Sequence, residues 1–237
     1  MYYGKTILYA GRGERKEGMK QALSEKSSLA WFKLAEYVGR KEKERALALY
    51  RLLIHSLGEN VAFIKKLEAD LLFHFDHKEA ETLYLTAAHV YKQMGSNREA
   101  FLLYRFLAFH YPDSLHYKEQ SLELASYFFE NNTIAYCAQQ LYSALLEKEL
   151  FEKAASLFVQ YESFLKIKNK IDCCQKFVVK ALTYSRAEED LVQPFLYKAL
   201  DGLKRVGGNQ EMNKFLDQIK GLNSSWYQDA RIYVENM

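Results

Sequence analysis

Apolar positions recur along this chain with helical spacing, three and four residues apart, and polar or glycine-containing breaks separate the runs. Residues Glu14 to Ser24 predict a first helix. Ser27 or Ser28 then caps a second, which carries Leu29, Trp31, Phe32, Leu34, Ala35 and Val38 and stops at Gly39. The next runs are Glu42 to Leu57 and Val61 to Phe73, with Gly58 and Asn60 making the stop and the start between them. Asp76 with Glu79 predicts the N-terminal cap of the helix that follows. Further helices are expected over Leu115 to Glu130, Ile134 to Lys148 and Phe151 to Lys166, then, past a basic turn at Lys166 to Lys170, over Ile171 to Tyr184. That last run is apolar on more than one face, which predicts burial between neighbours. Pro194 either kinks or starts the helix running to Val206. Gly207, Gly208 and Asn209 make a stop and a cap, and Met212 to Lys220 and Trp226 to Val234 are short final helices.

The stretch Glu81 to Ser114, ETLYLTAAHVYKQMGSNREAFLLYRFLAFHYPDS, is predicted as helix, tight turn and helix. Gly95 supplies the left-handed residue that ends the first helix, Ser96 with Glu99 predicts a capping box for the second, and Pro112 forbids continuation. Tyr84, Ala87, Ala88, Tyr91, Ala100, Tyr104, Leu107 and Pro112 stand at the offsets of a tetratricopeptide repeat, which this stretch resembles. Small residues at helix crossings and aromatic knobs beside them give those offsets a physical reason.

The resemblance implies an all-α fold, a right-handed α-α superhelix built from antiparallel helix hairpins. Residues 1–15 would be a lead-in, 16–237 one solenoid domain, 81–114 its best repeat and 209–237 its C-terminal capping helices. One conflict of phase stands in the pattern. Lys78 to Met94 serves as the second helix of a repeat counted from Ala46 and Ala80, and as the first helix of the repeat that ends at Pro112. The second phase satisfies more positions. In that phase the inner face of the central repeat carries Thr82, Leu85, His89 and Lys92, the expected partner-binding groove. Relatives that clamp a terminal carboxylate use Lys and Asn near these places, so Leu85 and His89 point instead to an apolar or aromatic ligand segment.

Composition narrows the function further. The 237 residues carry 33 basic and 30 acidic side chains, a formal charge of +3, so bulk charge does not indicate nucleic-acid binding. Only 2 prolines and 11 glycines occur, which leaves no long linker. The glycines at 11, 13 and 18 lack the strand-turn-helix setting of a dinucleotide fingerprint, and no glycine-rich run precedes Gly4 and Lys5. The apolar run near the start is too short for a signal peptide, and no uncharged run is long enough to cross a membrane. Cys137, Cys173 and Cys174 have neither disulfide nor zinc spacing and read as reduced thiols of a cytoplasmic protein.

His74, Asp76, His77 and Glu81 are the best metal-ligand grouping, but Asp76 is committed to a cap and no further ligand is in view. No catalytic residue, metal or cofactor is therefore assigned. Lys65, Lys66, Lys166, Lys168 and Lys170 read as a solvated face before they read as contacts to an acidic partner. The expected function is a non-enzymatic adaptor or chaperone-like module binding a protein or peptide, with no nucleic acid and no membrane. A structural subunit of a larger assembly and, third, a metal- or thiol-dependent enzyme are the alternatives.

Overall fold

The apolar-periodic runs become α-helices and the breaks become short turns. The computed structural model describes residues 19–54, 60–76, 78–184 and 188–237, and among them are twelve α-helices and no strand. They are α1 (Met19–Gly39), α2 (Lys43–Ile54), α3 (Val61–His74), α4 (Glu79–Gln93), α5 (Asn97–His110) and α6 (Leu115–Phe128). After these come α7 (Asn131–Glu147), α8 (Phe151–Tyr161), α9 (Ile167–Thr183), α10 (Glu189–Arg205), α11 (Asn209–Leu222) and α12 (Ser224–Asn236). Consecutive helices pack against each other, as in a helical-repeat protein.

Helix ends repay close inspection, because several differ from expectation. Gly95 has φ +75, and its N–H donates to the Lys92 carbonyl while the Ser96 N–H donates to Tyr91, the paired bonds that satisfy carbonyls at a helix end. This ending excludes the capping box predicted at Ser96. Its N–H, which Glu99 would have accepted, is already spent on Tyr91, and its side chain makes no cap bond. The same paired bonds recur at Lys41, Glu149 and Gly207, so two non-glycine residues hold a left-handed backbone at roughly 1–2 kcal/mol each. Gly39 is merely the last helical residue of α1. Gly208, not Asn209, is the N-cap of α11.

Other boundaries move for local reasons. No helix starts at Ser27 or Ser28: α1 runs without interruption from Met19 to Gly39, since no glycine or proline breaks it. Its predicted part before residue 19 lies outside the described residues, as do Gly58, His55 and His77. Asp76 does not cap α4; it ends α3 in a left-handed turn, φ +52, with its N–H on the Phe73 carbonyl. Asn60 does cap, its side chain accepting from the Phe63 N–H at 3.0 Å. The break predicted at Lys166 to Lys170 falls earlier, at a 3-10 turn, Glu162–Phe164, and α9 already begins at Ile167. Pro194 neither starts α10 nor ends it; it sits in the helix interior, at an exposed position.

The chain divides into two compact units, one ending at Thr86 and one beginning at Ala87, so the boundary falls inside α4. The conflict of phase in the sequence lies in this same helix. In the N-terminal unit Ala80 and Tyr84 are buried, Tyr84 packing edge-on against Phe73 and donating to Asp70 at 2.8 Å. The core of that unit is centred on Leu34, Ala46, Tyr50, Leu53 and Leu71. In the C-terminal unit Ala88 and Tyr91 are buried, with Ala100, Tyr104 and Leu107 of α5. Both phases are thus used, each by a different half of one helix.

Packing within the C-terminal unit has a period of two helices. Lys92 of α4 reaches Gln120 and Glu123 of α6, Ser126 of α6 meets Tyr161 of α8, Glu162 after α8 meets Lys198 of α10, and Tyr233 of α12 donates to Asp201 of α10. These ties span 28 to 36 residues. Odd-numbered helices are tied likewise: Tyr142 of α7 donates to the Cys173 carbonyl in α9, and Lys180 of α9 pairs with Glu147 of α7. Within this unit the even-numbered helices therefore form one row and the odd-numbered helices a second. Between the rows lie Phe177 and Phe195, stacked with centroids 4.0 Å apart, and Gly202, where a Cβ would come within 2.5 Å of Ile171. As predicted, α9 is buried among its neighbours through Phe177, Val178, Ala181 and Leu182.

Candidate functional site

The four residues expected to line a groove, Thr82, Leu85, His89 and Lys92, all stand on α4 at helical spacing, which places them along one side. Thr82 and His89 are exposed, while Leu85 and Lys92 are half-buried. The unit boundary falls among them, with Thr82 and Leu85 before it and His89 and Lys92 after it. In the C-terminal unit the last two join a wider polar face.

That face is built across α4 and α6. The Lys92 ammonium donates to Gln120 at 3.0 Å and Glu123 at 2.9 Å, and the Gln120 amide donates to the other Glu123 oxygen at 2.9 Å. His89 from α4 and His116 from α6 each set their ring edge-on to Tyr104, both with centroids at 6.2 Å. Tyr104 itself has no exposed surface, and its hydroxyl has no hydrogen-bond partner. Burial, with the Glu123 charge second, pushes the phenol above its usual range, so it stays a neutral donor. The face thus presents two exposed imidazoles over a buried tyrosine, beside a lysine whose charge is already neutralised.

His116, Gln120 and Glu123 were not singled out as groove residues from the sequence. They stand 27, 31 and 34 positions after His89, and stepping one family period on from the α4 positions would have reached this stretch. No local signal separates them from the polar residues on any other helix surface.

The other chemical candidates do not assemble. His74 is exposed at the end of α3 and Asp76 lies in the turn after it, and no group of three His, Cys, Asp or Glu side chains is arranged for a metal among the described residues. Cys137, Cys173 and Cys174 are buried free thiols; burial pushes Cys173 up to about 11 and Cys174 up to about 12, which keeps them protonated and poorly nucleophilic. Lys65 and Lys66 are each paired within α3, with Glu68 and Asp70. Lys118, buried in α6, donates to the Pro112 carbonyl and so closes the turn after α5. Among the described residues no helix is long and apolar enough to cross a membrane.

No protein-family model matches the chain, and no curated protein matches it.

Proposed function

We propose that the chain is a protein-protein interaction module of tetratricopeptide type, a non-enzymatic adaptor or chaperone-like scaffold of the cytoplasm. Its hairpins wind as a right-handed α-α superhelix, and the row of even-numbered helices offers a concave face to a peptide or helix of a partner protein. One observation carries this reading: ties along that row recur every 28 to 36 residues, which brackets the family period of about 34.

The chemistry of the row defines the kind of ligand. Lys92 is paired with Glu123 and Lys198 with Glu162, at 2.9 and 2.8 Å, so these charges are satisfied before any partner arrives. Recognition then rests on apolar contact and on hydrogen bonds from groups such as His89 and His116, and affinity changes little between low and moderate salt. The buried, protonated thiols favour a reducing compartment and supply no nucleophile.

Affinity capture of the tagged protein from its own cell lysate, read by mass spectrometry, tests the assignment beside a His89→Glu, His116→Glu variant. Both substitutions fall on exposed positions, so the fold is expected to survive them. A stoichiometric partner held by the wild type and lost by the variant is the expected result. A partner held equally by both moves binding off this face, and no partner at all removes the adaptor reading.

A further inference from the structure

The opposite row carries a second feature that groove binding does not use. The buried side of α5 is Ala100, Phe101, Leu103, Tyr104 and Leu107, yet its solvent side is apolar too: Leu102 is 55% exposed and Phe109 77%. Beside them on α7 stands Tyr136, 47% exposed. A helix apolar around most of its circumference is ordinarily covered on both sides. Further along the same row the pattern changes, since the exposed side of α9 carries Lys168, Asp172 and Lys176. Past its first residue, Ile167, which is 45% exposed, α9 therefore turns a charged side to solvent where α5 turns an apolar one.

At the centre of this patch lies Arg105. Its guanidinium carbon is 5.0 Å from the Tyr136 ring centroid and 5.6 Å from that of Phe101, so both rings hold the cation in place. An arginine held by ring contacts still has in-plane N–H groups to offer a carboxylate. Arg105 has no carboxylate partner among the described residues, whereas Arg98, one helical turn before Leu102, lines a depression together with Glu99 and Glu130. The one acidic residue of α5, Glu99, lies in its first turn, where the helix dipole favours it, and Glu147 of α7 is paired with Lys180.

We propose that the outward face of α5 and α7, formed by Leu102, Phe109 and Tyr136 around Arg105, receives an amphipathic helix of another protein. That helix carries apolar side chains at one-turn spacing and a carboxylate that meets Arg105. Charge complementarity selects this partner: Arg105 stands unpaired among the apolar side chains, and an acidic amphipathic segment answers both features. The surface is distinct from the even-numbered row, so two partners can be held at once.

The test uses the full chain and two labelled synthetic amphipathic helices with identical leucine spacing, one flanked by Glu and the other by Lys, in fluorescence anisotropy. The Glu helix is expected to bind at least about tenfold more tightly than the Lys helix, a difference of roughly 1.4 kcal/mol. Arg105→Glu is expected to abolish or reverse that preference, and Phe109→Ser to weaken both helices by about tenfold, with circular dichroism unchanged because both positions are exposed. Lys153→Glu, the same charge change on α8, is expected to leave the preference intact. Equal binding of the two helices, no binding of either, or an equal response to Lys153→Glu overturns the proposal. So does Phe109-dependent self-association in sedimentation velocity, which would make the occupant a second copy, or Phe109-dependent binding to phosphatidylserine vesicles without peptide preference, which would make it a lipid surface.

Discussion

The two units of this chain are tied together differently. In the N-terminal unit, polar side chains reach to an adjacent helix: Tyr50 of α2 donates to the Ile64 carbonyl in α3, and Tyr84 of α4 donates to Asp70 of α3, each 14 residues away. In the C-terminal unit the ties skip a helix and span 28 to 36 residues. A chain whose ties reach an adjacent helix needs only hairpins, whereas ties to the helix after next require successive hairpins to stack side by side. Stacking of that kind produces a continuous surface, since each repeat extends the face of the one before it. The face that His89 and Lys92 build with α6, and the α5 and α7 patch, accordingly belong to the C-terminal unit, while Thr82 and Leu85 stand before its boundary.

The largest expected effect lies where the two rows of that unit meet. Phe177→Ala removes a fully buried ring stacked on Phe195 and is expected to destabilise the C-terminal unit by about 3–5 kcal/mol. The chain has two tryptophans, Trp31 before the unit boundary and Trp226 after it, so single-tryptophan backgrounds report each unit separately in urea. The Trp226 transition should move to lower urea by the full amount. An equal shift of the Trp31 transition would show the two units unfolding as one and erase the contrast.

Glycines sharpen the comparison at intermediate size. Gly202→Ala drives a methyl to 2.5 Å from the buried Ile171 side chain and is expected to cost about 1–3 kcal/mol. Gly39→Ala, at the end of α1, meets nothing within 4 Å and is expected to stabilise the N-terminal unit by about 0.4–1 kcal/mol. Thermal unfolding of both variants checks the opposite signs; two shifts of the same sign would mean that the close crossing of α9 and α10 does not discriminate the units.

A smaller pair probes the ties themselves. Tyr142→Phe removes a buried hydroxyl that donates to the Cys173 carbonyl at 2.9 Å and is expected to cost about 1 kcal/mol. Tyr104→Phe removes a buried hydroxyl with no partner and is expected to be neutral or stabilising, because burial without a bond is itself unfavourable. Chemical denaturation separates the two. A clear loss of stability in Tyr104→Phe would reveal a partner for that hydroxyl and change the account of the α4 and α6 face.

Much of this was legible along the chain. The all-α class, most helix ends to within a few residues, Gly95, Gly207, Pro112 and Asn60, and the burial of Tyr84, Tyr91 and Tyr104 followed from local chemistry and from spacing. The failures were local conflicts in which one backbone group had two claims on it. The spacing of Ser96 and Glu99 predicts a capping box, but the Ser96 N–H is committed to ending the preceding helix. Asp76 had the side chain of a cap and the backbone of a left-handed turn, and the turn prevailed.

By itself, then, the sequence determined that the chain forms a series of helices that bury small and aromatic residues against their neighbours, since periodicity, turn residues and side-chain volume act within a few residues of one another. Tertiary structure alone decided that both phases of α4 are used, that Lys92 meets Gln120 and Glu123, and that His89 and His116 flank one buried tyrosine. Those outcomes depend on which helices lie side by side about thirty residues apart, and that is settled by the packing of whole helices, for which no short segment carries a signal.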